Sequence, residues 1–201
     1  ILVAPQDQIA TAVLTRAGFP LLAELRYLWA EAHPKLWEPE VADLTFETVG
    51  ADRQAALERV IEKTYDGTQD CPLLDRARPM SEVLAGYRAQ GAFLPDQWLL
   101  VRRGGDYVGV LLMAGHPETN NWELMYMGVT PEARGRGYGV AIATHALRAA
   151  AQGGARRVVL AVDAGNGPAR ATYRQAGFVP WDRRTIYAQV LHDDSDSATR
   201  D

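Results

Sequence analysis

Polar and apolar positions set out a chain of short elements. Residues 44–49 alternate and carry Thr45 and Phe46, which predicts a strand. After Asp52, the residues Leu57, Val60, Ile61 and Thr64 recur at the spacing of one helix face. Residues 65–79 contain Gly67, Pro72 and Pro79 and read as a loop. Ser81 is expected to cap a second helix bearing Val83, Leu84 and Tyr87, which stops by Gly91. Two strands, 98–103 and 107–113, flank Gly104-Gly105, a pair suited to a primed hairpin turn. Polar residues 116–121 make the next turn, and 122–129 is a further strand. A glycine-rich loop, a helix over about 139–152, a strand over 157–162 and a short helix over 168–175, closed by Gly177, come next. The last predicted strand is 185–191, and residues 192–201 read as a disordered acidic tail.

The first 39 residues differ from this main body, which is taken as 40–191. Ile1-Leu2-Val3 resembles the end of a strand. Asp7 is placed to cap a helix reaching Arg16, with Ile9, Val13 and Leu14 on one side and Gly18 ending it. Residues 21–29 fit a strand, although their Leu, Ala and Glu content also suits a helix. Pro34 and Pro39 mark a linker.

Composition narrows the function classes. Hydrophobic residues make up 47% and charged residues 23%, the usual globular mix. A net charge of −4 and a pI near 5.6 argue against a nucleic-acid partner, whose phosphates need clustered cations. The local pairs Arg134 with Arg136 and Arg183 with Arg184 suffice for one small phosphorylated ligand. Cys71 is the one cysteine, which fits a reducing cytoplasm, and no apolar run approaches the ~18 residues of a membrane helix. The chain starts at Ile1 rather than Met, which fits a processed chain, a trimmed one or a fragment alike.

The most informative segment is Val129-Thr130-Pro131-Glu132-Ala133-Arg134-Gly135-Arg136-Gly137-Tyr138-Gly139, between a strand and a helix. Glycines let the backbone turn tightly and present successive N–H groups, and the helix behind adds unpaired N–H groups and a partial positive charge. Together these can seat a pyrophosphate. A plain structural turn is one alternative. A dinucleotide site is another, with Asp163 in the position of the acidic ribose ligand. Against it, that motif needs Gly or Ala at residue 140, where Val140 stands, and Pro131 lengthens the connection. A P-loop is excluded, since no Gly-Lys-Ser/Thr occurs.

The segment resembles the GNAT acyltransferase superfamily, whose Arg/Gln-x-x-Gly-x-Gly/Ala motif is filled by Arg134, Gly137 and Gly139. Asn166, Ala169, Tyr173 and Gly177-Phe178 match that family's second motif. The similarity covers roughly 44–191. It implies a mixed α/β fold: a central, mostly antiparallel twisted sheet with a splayed strand pair and helices on both faces. It also implies acetyl-CoA as co-substrate, no metal, and an amine acceptor, the acetyl group passing directly between them. Backbone groups at Met127, Gly128 and Val129 would hold the acyl carbonyl and pantetheine, with Arg134, Gly135, Arg136, Gly137, Tyr138 and Gly139 at the pyrophosphate. Asn166 would bond the cofactor or the splayed strand end.

Two groups compete as general base. Glu123 lies in a strand of Trp, Leu, Met and Tyr, where partial burial would raise its pKa, and the resemblance supports a glutamate there. His116, at the preceding turn, is the rival. Tyr173 is the candidate general acid toward the departing thiolate and contacts the cofactor; the alternative is a core tyrosine beside Phe178. Tyr65, Asp66 and Asp70 could meet a cationic amine. Cys71 is not expected to be a nucleophile, because Asp70 beside it raises its pKa.

A shift of 159 residues aligns the chain with itself. Ile1-Leu2-Val3 falls on Leu160-Ala161-Val162, Asp7 on Asn166, and Ala17-Gly18-Phe19 on Ala176-Gly177-Phe178. The first segment therefore resembles the tail of an incomplete second GNAT unit, with Leu14 at the tyrosine position, packed on or beside the catalytic one. A homodimer, or contact with a missing N-terminal GNAT unit, follows as an expectation. The rival function is a catalytically silent module that binds acyl-CoA.

Overall fold

The structure is a computed structural model that describes residues 1–34, 44–72 and 78–189. Eight strands form one sheet: β1 Leu2–Val3, β2 Leu21–Glu31, β3 Leu44–Thr48, β4 Ala92–Arg103, β5 Asp106–His116, β6 Asn121–Val129, β7 Arg157–Asp163 and β8 Val179–Tyr187. Their order is β1-β8-β2-β7-β6-β5-β4-β3, and β6 with β7 is the single parallel pair among otherwise antiparallel neighbours. Five α-helices accompany it: α1 Gln8–Arg16, α2 Gln54–Tyr65, α3 Met80–Ala89, α4 Tyr138–Gln152 and α5 Gly167–Gln175.

Helices cover both faces. Leu57, Val60 and Ile61 of α2 and Leu84 of α3 pack on Trp98, Leu100, Val110 and Leu112, while Ile142, Ala146 and Leu147 of α4 pack on the other side with Val101, Leu111, Met113, Val158 and Leu160. Alternate strand residues serve the two cores, so β5 is apolar almost throughout, as a strand covered on both faces must be.

Several expectations need correction. Pro79, not Ser81, stands at the N-cap of α3, since proline's fixed φ and missing N–H suit a helix start. β4 begins at Ala92 rather than 98, because a register irregularity between Phe93 and Trp98 accommodates Pro95. His116 is not in a turn; it ends β5 and pairs with Asn121. The last strand is Val179–Tyr187; its polar Asp182-Arg183-Arg184 stretch hid the alternation that a half-exposed strand keeps. Residues 190–201, with the expected end of that strand and the acidic tail, lie outside the described residues, as do Pro39 and the rest of 35–43. In α1, Asp7 caps as expected by accepting from Ala10 N at 2.9 Å, and Leu14 is buried, but Ile9 and Val13 are exposed.

Residues 1–31 enter the sheet itself, with β2 between β7 and β8. The 159-residue shift then acquires a geometric meaning. Leu25 pairs with Arg184, its own shifted position, and Glu24↔Thr185 exchanges with Arg26↔Arg183 under the same shift. The pairs Leu2↔Ile186 and Val3↔Thr185 map onto Ala161↔Tyr27 and Val162↔Arg26. Even the irregularities correspond: Leu22 is the extra residue of one bulge and Trp181 of the other. Asp7 and Asn166 cap equivalent helices through their side chains, and Gly18 and Gly177 end them at φ 78° and 94°. The four strands β1, β8, β2 and β7 thus obey a local two-fold relation through Leu25 and Arg184.

If β2 belongs to the same cooperative unit as the main body, a cavity in β2 weakens the whole. Leu28 is buried in the α4-side core. Leu28→Ala is expected to cost about 2–5 kcal/mol and to lower the midpoint of one shared denaturant transition, followed in parallel by fluorescence and circular dichroism.

Candidate active site

β6 and β7 part company early. They pair only through Asn121↔Arg157, Trp122↔Val158 and Glu123↔Val159, whereas β6 stays on β5 as far as Val129. Met125 is the extra residue of a bulge against β5, placed where the strands diverge, and bulges bend and twist a strand. The parting leaves the β7 side of residues 124–129 without a strand partner. A cleft of about 580 Å³ opens there, lined by Met127, Gly128, Val129, Arg134, Gly135, Gly137, Tyr138, Gly139, Asn166 and Tyr173. The splay expected from sequence is thus present. Ala161 is exposed although it sits mid-strand in β7.

The glycine loop closes one end of the cleft. Gly135 and Gly137 have φ of 74° and 79°, the left-handed region that favours glycine. Hydrogen bonds into α4 start with Val140 N and Ala141 N, both donating to Gly137 O. Among the described residues, the N–H groups of residues 135–139 have no intramolecular acceptor. Five unpaired donors at a helix N-terminus form an anion seat. Arg136 is exposed, lies outside the cleft lining and makes no ion pair among the described residues.

Arg134 behaves differently from the sequence expectation. Its Nε donates to Val129 O at 3.2 Å, and its terminal nitrogens donate to Thr64 O at 2.8 Å and Gly67 O at 3.5 Å. The guanidinium caps the C-terminal carbonyls of α2 and ties that helix to the end of β6. Gly128 also serves this approach: a Cβ there would lie 2.6 Å from Thr64 Oγ1 and 2.7 Å from Thr64 Cβ. Thr64 Oγ1 donates to Ile61 O at 2.7 Å, so the 2.6 Å bond to Tyr126 is donated by the tyrosine.

Tyr173 lies on α5, buried at 6% exposure, and reaches the cleft while its ring meets Phe178 edge-on at 5.6 Å. Core packing and cleft lining are therefore both true of it. Burial pushes its phenol up, and the nearby Asp70 adds to the shift. Asn166 lines the cleft too, but its Oδ1 is committed to capping α5 through Ala169 N at 3.1 Å. Opposite, residues 67–70 form a wall of the cleft. That wall is pinned by Asp163, which accepts from Cys71 N at 3.0 Å and Gly165 N at 2.7 Å, while Asp163 N donates to Asp70 Oδ1 at 3.1 Å. Asp163 is thus a brace with both carboxylate oxygens engaged, which removes the ribose role of the dinucleotide reading. Desolvation, reinforced by Asp70 and Asp163, pushes the Cys71 thiol up to about 12.

The two rival bases are one unit. His116 Nε2 and Glu123 Oε2 are 2.8 Å apart, and Gln90 Nε2 donates to Glu123 Oε1 at 2.9 Å. The hairpin register brings them together, since Glu123 lies opposite Ala114 and His116 opposite Asn121. They line a second cavity of about 230 Å³ at the apex of the fork, outside the larger cleft. Tyr27, Thr119, Asn121, Val159, Leu160 and Trp181 complete its wall. Of the loop residues suggested for an amine, Asp70 lines the larger cleft and Tyr65 packs edge-on against Tyr126 at 6.0 Å. The sequence reading missed Thr64, Tyr126, Tyr27 and Trp181 as site residues. The alternation in residues 122–129 could have pointed to Tyr126.

A forked sheet, an anion seat at the helix behind the fork and a tyrosine in the same cleft define an acyltransferase-type α/β architecture. Residues 61–178 match the family model described as Acetyltransferase (GNAT) family, and the chain belongs to that family. Among curated relatives it is 35% identical over 195 residues to a mycothiol acetyltransferase of Paenarthrobacter aurescens, an alignment covering 91% of this chain and 58% of the relative. It is 41% identical over 183 residues to one from an Arthrobacter species, covering 91% and 47%. The chain therefore spans about half the length of these relatives. A GCN5-related N-acetyltransferase from Sphaerobacter thermophilus shares the fold with a TM-score of 0.70 at 19% identity, covering 92% of this chain and 57% of that one. So does the spermidine N-acetyltransferase of Vibrio cholerae, solved with CoA and spermine, at a TM-score of 0.54 and 14% identity, covering 73% and 96%. Among the described residues, no helix is long and apolar enough to cross a membrane.

Two outcomes test this geometry. Asp163→Ala removes the acceptor for Cys71 N and Gly165 N, and amide hydrogen exchange should accelerate at both, with a stability loss of about 2–3 kcal/mol. A thiol with so raised a pKa is almost wholly protonated at pH 8; iodoacetamide should alkylate Cys71 at least ~10-fold more slowly than free cysteine.

Proposed function

We propose that this chain transfers an acetyl group from acetyl-CoA directly to a primary amine. The observation that carries this reading is the fork, with unpaired loop donors at one end and Tyr173 in the same cleft. The residues fit the co-substrate: a pyrophosphate suits the N–H groups of residues 135–139, and a slender chain suits the unpartnered edge of β6 at Met127, Gly128 and Val129. Bound acetyl-CoA would supply the thioester carbonyl that the amine attacks. Glu123, oriented by His116 and Gln90, takes the amine proton as the N–C bond forms, directly or through water. Tyr173 gives its proton to the sulfur as the C–S bond breaks. Its raised pKa keeps the phenol protonated through the neutral range, as a proton donor requires. The setting proposed is the cytoplasm.

The tail-like segment supports a second proposal: residues 1–31 are the closing part of a duplicated GNAT unit, held by the local two-fold pairing. The curated relatives are named for mycothiol acetylation, which makes that the first acceptor chemistry to assay.

Acetyl-CoA at about 100 times its dissociation constant should stabilise the fold by roughly 2.7 kcal/mol, and NAD should not. Gly137→Val, which puts a β-branched residue at φ 79°, should abolish the shift. Tyr173→Phe should keep it and lower kcat about 100-fold, evenly from pH 7 to 9. Binding of acetyl-CoA with no product from any amine would favour the silent acyl-CoA-binding module instead.

A further inference from the structure

The local two-fold relation offers a comparison inside one molecule. Equivalent positions share strand pairing, bulges and helix caps, so the backbone does not distinguish them. Their surroundings differ, since β7 adjoins β6 and Tyr173 joins the α4-side core, whereas β1 is the sheet edge and Leu14 packs with Val3 and Tyr187; differences in side chain follow what faces the site. Tyr173 stands opposite Leu14, Trp181 opposite Leu22, and Tyr27 opposite Ile186 in this relation. In each pair one member is aromatic and the other aliphatic. Tyr173 lines the larger cleft, while Tyr27 and Trp181 line the cavity at the apex of the fork.

Trp181 is an unusual surface residue. It is the extra residue of the bulge between Tyr27↔Asp182 and Leu28↔Pro180, and it is 58% exposed. A bulge re-aims a side chain. Here the indole meets the Tyr27 ring edge-on, with centroids 6.0 Å apart. Glu123 is the one carboxylate in the cavity lining. The neighbouring acidic residues are engaged elsewhere: Glu24 pairs with Arg26 at 2.9 Å, and Asp182 with Arg184 at 2.6 Å. The cavity thus presents two aromatic rings with Val159 and Leu160 to the body of an acceptor, and the Glu123 carboxylate, held by His116 and Gln90, to its amine.

We infer that Tyr27 and Trp181 form the wall that binds the acceptor, a primary amine whose body rests on the two rings while its nitrogen meets Glu123. The duplicated segment then has a task beyond completing the sheet: β2 carries Tyr27 into the site. This assignment rests on the proposed acetyl transfer, with Glu123 as base.

The two-fold relation also supplies substitutions that the backbone already tolerates. Tyr27→Ile and Trp181→Leu install the residues found at the equivalent positions. With acetyl-CoA and phenethylamine as the probe, each is expected to raise the KM for the amine tenfold or more. The KM for acetyl-CoA and the thermal midpoint should stay unchanged. An amine KM within twofold of the parent in both variants would overturn the assignment. A second readout does not depend on turnover: the indole N–H signal of Trp181, identified by its loss in Trp181→Leu, should shift as phenethylamine is titrated into the CoA-bound protein. No shift up to the solubility of the amine would overturn the acceptor wall. A shift without product would uphold the wall and count against acetyl transfer.

Discussion

The arrangement depends on a sheet that stops pairing partway. Backbone donors and acceptors inside a protein are nearly always matched, so a stretch of strand left without its neighbour must be answered by something else. Three residue pairs join β6 to β7 before they separate. Everything that holds the separation open is local. The Met125 bulge turns β6, Arg134 and Gly128 draw α2 against it, and Asp163 pins residues 67–71 to the far strand. The site is thus a product of bracing: residues of reactive type, Arg134 and Asp163, are consumed in holding the cleft's shape.

The local two-fold relation explains how a short N-terminal segment can be integral to the sheet. Antiparallel pairing is symmetric about its own centre, so two strand–helix–strand segments of the same shape can interleave and pair with each other. β2 and β8 do this about Leu25 and Arg184. The middle of that seam is polar at Glu24, Arg26, Arg183, Arg184 and Thr185, and each strand carries an ion pair of its own, Arg26–Glu24 in β2 and Arg184–Asp182 in β8. Apolar contact comes from Leu28 and Ala30 of β2 in the α4-side core and from a small cluster of Val3, Leu14 and Tyr187.

Much of the fold was legible because its signals are local. Helix faces such as Leu57, Val60, Ile61 and Thr64 follow from spacing, and all four are buried. The glycine loop was legible because only glycine suits the left-handed turns at residues 135 and 137. What escaped depends on distance. Arg134 has the charge of a phosphate ligand, yet its guanidinium donates to three backbone carbonyls. Glu123 and His116 looked like rivals because seven positions separate them, and only the hairpin register makes them partners. Tyr27 and Trp181 depend on a strand insertion and a bulge, neither of which has a sequence signature. Asp163 has the position of a ribose ligand and the environment of a brace.

The proposed proton donor and acceptor stand on opposite faces of the sheet. Tyr173 belongs to the α4-side core, while Glu123 bonds Gln90 at the end of α3 on the other side. In a closed sheet those faces would be insulated from each other by paired backbone. The fork is the passage between them, and its apex falls at Glu123, the last residue of β6 that pairs with β7. A nucleophile approaching from the α3 face and a leaving group departing toward α5 would then use the gap in one direction. The two titrating groups also keep distinct surroundings: one carboxylate held by two polar partners, one phenol buried against Phe178. An unbroken β6–β7 ladder would forfeit that route, so the proposed transfer would depend on the missing hydrogen bonds as much as on the side chains.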